Sequence, residues 1–247
     1  MKVAGIACIG LLCVCGLCMA QVPETGRWQE LVFAPDEVHG QSEVRYLDLL
    51  AWLAASGRLD NDRGLLARVK SISAGLIAAA GEMKQETAAW NWEVHVTSDP
   101  SVDAICMAGG KILIGSAFVH GLAFDDGELA TLIAHEIAHA VAEHQREELS
   151  EARQLASHAM PLEVMFERLR SDLSMQIRLR GLSELQEREA DQLGMVLAHR
   201  AGWPASRMVS FYQKLALSDG ATVYSGSHPR VSSRLSMARG MARLLEH

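Results

Sequence analysis

The most constraining feature of this chain is the pentad His135-Glu136-Ile137-Ala138-His139. On a helix, residues four apart are turned by about 400°, so both imidazoles leave one face, one turn apart. That pair is a bidentate clamp for a tetrahedral metal, whose nitrogen ligands stand at roughly 2.0–2.1 Å. Glu136 lies on the adjoining flank, where its carboxylate reaches a water on the metal. Zinc lowers the pKa of such a water towards ~7, and a neighbouring carboxylate takes its proton as the oxygen attacks a peptide carbonyl. Two surface histidines on an amphipathic helix are the plainer alternative. It fits poorly, because the three polar residues interrupt an Ala/Leu/Ile-rich helix and buried charged groups need partners.

A catalytic zinc needs a third protein ligand and an open fourth position. A third histidine six residues after His139 is excluded, because Gln145 stands there and Ala142 replaces the glycine that such a turn requires. A glutamate on a later helix is the other source, and Glu187-Arg188-Glu189-Ala190-Asp191 offers one. Glu187 and Asp191 fall a turn apart on one face. Glu187 can bind the metal while Asp191 accepts a hydrogen bond from a liganding imidazole and fixes its tautomer. Alone, this run reads as a solvated acidic face; beside the pentad, it reads as a ligand.

The chain has 247 residues, 49% of them hydrophobic, enough for one ordinary to large globular domain. Its net charge of −7 carries no basic block, which argues against a nucleic-acid partner. Lys2 followed by the uncharged stretch Val3–Met19, with small residues at Cys18 and Ala20, reads as a signal peptide cleaved after Ala20. Retention as an anchor or attachment of a lipid to a cysteine are the alternatives. Four of the five cysteines lie in that segment, leaving Cys106 as the thiol of the mature chain.

Residues 21–40 read as an extended lead-in. Helical spacing follows over Ser42–Ala55 and Asp62–Gln85, and alternation over Trp92–Thr97 predicts a strand. Asp103–Cys106 and Lys111–Ser116 form an expected hairpin around Gly109-Gly110. Asp125 and Glu128 are spaced as a capping box for the pentad helix, which should run to about Arg146. Helical residues 148–182 are interrupted at Pro161 and carry too many charges to cross a bilayer. Ser183 and Gln186 look like a second capping box, opening a helix that stops at Gly202. Helices at about 204–217 and 229–245 flank a polar loop, 218–228. The expected fold class is α+β, mostly helical, with one small β-sheet beside the pentad helix.

Taken in order, Asp103-Ala104 through Gly109-Gly110-Lys111-Ile112, the pentad, Glu187–Asp191, and His228-Pro229 with Arg234 resemble metallopeptidase family forty-eight. That family includes HtpX heat-shock proteases, CAAX prenyl proteases, mitochondrial Oma-type proteases and soluble periplasmic members of the BepA type. The resemblance spans about residues 40–245, with Asp103 where the family usually has Asn. It implies a gluzincin domain over 41–247 holding one zinc through His135, His139 and Glu187, with Glu136 as general base. It also implies a setting in membrane-protein or envelope quality control, with association at the membrane surface or the envelope assembly machinery. The BepA-type branch is the nearer one, and it implies an exported, periplasmic protein.

His228 is then expected at the active site, as a hydrogen-bond donor to the oxyanion or as a fourth ligand that latches the zinc. Arg234 is expected behind the ligands with Asp191, orienting substrate or the His228 loop, with a surface ion pair as the alternative. His144, five residues beyond His139, is expected to point away from the metal face and to serve behind the ligands or in the packing. Cys106 reads as packing. Lys111, Ile112, Leu113 and Ile114 are expected to offer a strand edge to an extended peptide, so that unfolded or misfolded proteins are the substrates. The competing function is a zinc-containing chaperone or assembly factor that binds envelope proteins without cutting them.

Overall fold

The structure, a computed structural model, describes residues 12–14, 17–156, 160–218 and 231–246. Strands β1 (Leu12–Val14), β2 (Leu17–Gln21) and β3 (Trp28–Leu31) form an antiparallel sheet in that order. Helices α1 (Pro35–Ala55) and α2 (Arg63–Met83) and a short 3-10 turn (Gln85–Ala89) lead to a second sheet. Its strands are β4 (Glu93–Thr97), β5 (Ala104–Met107) and β6 (Lys111–Gly115), in the order β4-β6-β5. β6 runs parallel to β4 and antiparallel to β5. Six further helices are described: α3 (Ser116–Gly121), α4 (Asp126–Val141), α5 (His144–Leu155), α6 (Leu162–Ser171), α7 (Leu173–Arg200) and α8 (Ala205–Ser218), followed by α9 (Val231–Leu245) as a seventh. The class is mostly helical α+β, as expected, with two small sheets rather than one.

The pentad helix α4 sits at the centre of the core. Leu129, Leu132, Ile133, Ile137 and Val141 are all fully buried, packed with Leu65, Val69 and Leu76 of α2 and with Leu193 and Leu197 of α7. α2 is long and apolar enough to cross a membrane by length and composition, and its apolar face is spent on this core. The capping box on α4 is present: Glu128 N–H donates to Asp125 Oδ1 at 3.0 Å and Asp125 N–H to Glu128 Oε2 at 2.9 Å. Asp125→Ala should therefore lower stability by about 1 kcal/mol, read as a lower urea midpoint.

Several boundaries differ from the sequence reading, each for a local reason. α1 begins inside the expected lead-in. Pro35 takes the first helical position and the Glu37 carboxylate accepts from Ala34 N–H at 2.9 Å. Val38, Tyr46, Leu50 and Leu53 face inward along α1, while Val44 and Leu47 are exposed. Ser183 and Gln186 lie inside α7, not at its start; Asp172 caps that helix by accepting from Met175 N–H at 3.1 Å. α4 does not reach Arg146. It breaks at Glu143, whose φ is +56°, a left-handed conformation that costs a non-glycine residue free energy. That cost is offset at the same residue: the Glu143 carboxylate binds Lys84 Nζ at 2.5 Å and the Arg146 guanidinium, both buried.

Candidate metal centre

α4 and α7 meet at Gly194, where an added Cβ would stand 2.9 Å from both N and Cα of His135. Glycine at this point lets the two backbones approach. Glu187, two turns earlier on α7, is thereby held over the imidazoles. His135 Nε2 and His139 Nε2 are 3.1 Å apart, and the two Glu187 oxygens stand 3.4 Å from one imidazole each. Donors bound tetrahedrally at about 2.0–2.1 Å from one ion stand roughly 3.3 Å from one another. The three side chains fit a single zinc-sized ion. Glu136 fits the same picture: it is buried, and its Oε1 has no hydrogen-bond partner among the described residues.

Each imidazole is tethered on its far nitrogen. His135 Nδ1 lies 3.0 Å from Asp191 Oδ1. Asp191 is braced in turn by Arg234, through Nε at 2.8 Å and Nη2 at 2.6 Å, and by the Tyr212 hydroxyl, which donates at 2.8 Å. Burial disfavours the Asp191 anion, yet Arg234 and His135 hold its pKa down to about 2. Burial alone would lower the pKa of His135, but the carboxylates of Asp191 and Glu187 raise it to about 9. The site thus stabilises positive charge where a cation would sit.

His139 is tethered by His144, whose Nδ1 lies 3.0 Å from His139 Nδ1. A continuous helix would carry His144 round to the wrong side; the left-handed turn at Glu143 brings it back. Burial pushes the pKa of His144 down to about 4, so it is neutral at pH 7. Its Nε2 faces Glu189 Oε2 at 3.4 Å. Burial works against the Glu189 anion too, but His144 and Arg27 hold its pKa down to about 2.

These shifts set a pH dependence. The folded-state values of Asp191 and Glu189 lie below their unfolded values of about 3.9 and 4.3. Their stabilisation is complete above about pH 4.5 and is lost as pH falls through about 2. His144, lowered from 6.5 to about 4, acts in the same sense between those values, and His135, raised to about 9, in the opposite sense as pH rises through 9. The metal-free protein should have its highest urea midpoint near neutrality, with a clear fall by pH 3.

A cleft of about 360 Å³ opens beside the three donors, lined by Glu136, His139, Glu187, Glu148, Ser183 and residues 104–108 of β5 and its turn. Burial raises Glu148 to about 7, against the pull of His139. Burial also raises the Cys106 thiol well above its ordinary value, and Glu136 adds to this. It raises the Asp103 carboxyl as well, again with Glu136 contributing.

The model of Peptidase family M48 matches residues 66–242, well over half of the chain. The chain belongs to this family. Among its relatives, the mitochondrial metalloendopeptidase OMA1 of Arabidopsis thaliana is 32% identical over 148 residues, 58% of this chain and 30% of its own. The beta-barrel assembly-enhancing protease of Yersinia pestis is 26% identical over 214 residues, 78% of this chain and 42% of its own. The OMA1 of Bos taurus is 24% identical over 240 residues, 91% of this chain and 44% of its own. The chain spans less than half the length of these curated relatives.

Within this family member, the structure brings His135, Glu136, His139, Glu187, Asp191 and Arg234 together. His228 lies outside the described residues. Lys111, Ile112, Leu113 and Ile114 are not a free edge: β6 is the middle strand, flanked by β4 and β5, and all four residues are buried. The Lys111 ammonium is committed to Glu93 at 2.8 Å and to the Asn91 carbonyl at 2.7 Å. The hairpin places β6 beside a turn, but its pairing to β4, with partners eighteen residues upstream, leaves no local trace in sequence. Arg27, Tyr212 and Gly194 contribute to the site without having been singled out in the sequence. Only Gly194 had a signal, as a glycine inside an otherwise helical run seven residues after Glu187.

Proposed function

We propose that this chain is a zinc-dependent endopeptidase that hydrolyses peptide bonds of unfolded or misassembled cell-envelope proteins. One observation carries the reading: three donor atoms converge at ligand spacing near Glu136, whose Oε1 has no hydrogen-bond partner among the described residues, beside a cleft lined by β5. Family membership supports the chemistry. The name of the Yersinia pestis relative and the apolar first twenty residues support the envelope setting and export to the periplasm.

Zinc held by His135, His139 and Glu187 would supply Lewis-acid polarisation of a peptide carbonyl and acidify a water to a pKa near ~7. Glu136 takes the proton from the attacking water and hands it to the leaving amine. Burial keeps competing solvent away from its carboxylate. Asp191 and His144 hold the imidazole rings in the tautomer that leaves Nε2 free to bind. Of the two roles expected for His228, raised activity in His228→Ala marks a latch and lost activity marks an oxyanion donor.

The substrate edge moves from β6 to β5. Gly115 N–H donates to Asp103 O at 2.8 Å, so by the alternation of an antiparallel ladder the main-chain groups of Ala104 and Cys106 point away from β6. No described strand pairs with that side. An extended peptide laid there would run past Glu136 with little demand on its sequence, as suits unfolded proteins. Cys106→Pro removes one outward N–H and spares the β5-β6 ladder. It should cut cleavage about five- to tenfold at unchanged zinc content; unchanged cleavage would argue for another docking mode. The reading as a whole is tested with fluorescein-labelled casein. Cleavage should be abolished by a chelator and restored by one equivalent of zinc. Binding of casein without cleavage would favour the assembly-factor alternative.

A further inference from the structure

We propose that Arg27, in the turn between β2 and β3, is a positioning residue for the metal centre, acting on His139 through Glu189 and His144. This rests on the metal reading above. The Arg27 guanidinium bridges two helices. Its Nε and Nη2 donate to the two oxygens of Glu189 on α7 at 2.9 and 2.7 Å, while Nη1 and Nη2 donate to the two oxygens of Glu147 on α5 at 2.5 and 2.7 Å. Both carboxylates are buried. A planar fork meets both carboxylates bidentately, which an ammonium cannot do. Two neighbours fix the same turn: Thr25 Oγ1 donates to Glu189 Oε1 at 3.0 Å, and Gln29 Nε2 donates to Ala142 O and Glu147 Oε2, both at 2.9 Å.

The relay has a defined direction. With Nε2 of His139 turned to the ion, its proton is on Nδ1 and is donated to His144 Nδ1 at 3.0 Å. His144 then carries its own proton on Nε2, which faces Glu189 Oε2 at 3.4 Å. Glu189 can hold that position only while Arg27 neutralises it, because Glu147 is a second buried carboxylate on the same guanidinium. Remove the guanidinium and two buried carboxylates lose their shared cationic partner, Glu189 loses its fixed position, and His144 is no longer held against His139. The segment before α1 is thereby part of the metal centre, although Arg27 stands more than a hundred residues from the pentad in sequence.

The test compares wild type, Arg27→Met, Arg27→Lys and a control, Arg58→Met, which breaks a distant ion pair with Asp99 of 2.7 Å. Zinc affinity is measured by chelator competition, and the ligand field by the visible spectrum of the cobalt(II)-loaded protein. Arg27→Met should weaken zinc binding about 10–100-fold, the usual effect of losing a group behind a metal ligand, and should alter the cobalt spectrum. Arg27→Lys should recover part of both. Arg58→Met should leave both as in wild type. Wild-type zinc affinity and cobalt spectrum in Arg27→Met overturn the proposal. If that variant does not fold, the same result in Arg27→Lys overturns it. Absence of stoichiometric zinc from the wild type would instead contradict the metal reading beneath it.

Discussion

Glu136→Gln is expected to keep one zinc per chain and to lower hydrolysis of an unfolded substrate by about 10²–10⁴-fold, the contribution of a positioned general base. Gln is nearly isosteric with Glu, so the packing around a side chain that is 5% exposed is preserved. What is lost is the ability to take a proton. Glu136 is not among the three converging donors, so zinc content should stay at the wild-type value. Casein cleavage and metal content measured on the same samples decide the matter. Activity above about a tenth of wild type would remove Glu136 from its assigned role, and loss of zinc would move it from base to ligand.

Gly194→Ala should weaken zinc binding strongly and destabilise the protein by about 1–3 kcal/mol, the usual range for overpacking. The sign makes this prediction informative. In a helix interior, Gly to Ala is favourable by about 1 kcal/mol on propensity alone. Here the new Cβ would meet His135 N and Cα at 2.9 Å and Ala134 C at 3.1 Å, all backbone atoms that cannot turn aside. α7 has to move off α4, and Glu187 moves with it. Gly181, on the same helix with nothing within 4 Å of its added Cβ, is the control. Gly181→Ala should be neutral or stabilising. A stabilised, fully metallated Gly194→Ala would show that close approach of the two helices is not what positions Glu187.

How far the site could be read from sequence follows from how local each interaction is. The pentad spacing and the capping box at Asp125 are properties of one helix, and both are found where the periodicity put them. Glu187 and Asp191 needed one further inference, that an acidic helix face faces a metal rather than water, and they lie within reach of His135 and His139. The errors arose where distant residues decide. His144 does serve behind a ligand, but its direction is not legible, because the break at Glu143 that turns it towards His139 depends on Lys84, some sixty residues upstream on α2's C-terminal side. β6 reads as an edge in sequence because its pairing to β4 is a tertiary fact. Arg27 carries no signal at all, since an arginine in a turn is ordinary until two carboxylates are folded against it.

Anomalous diffraction from a zinc-loaded crystal, collected on either side of the zinc edge, tests the central claim most directly. The account predicts one strong difference peak per chain, about 2.0–2.2 Å from His135 Nε2, His139 Nε2 and a Glu187 oxygen. A peak bound elsewhere, or a structure in which Glu187 turns away from both imidazoles with no peak between them, would contradict it.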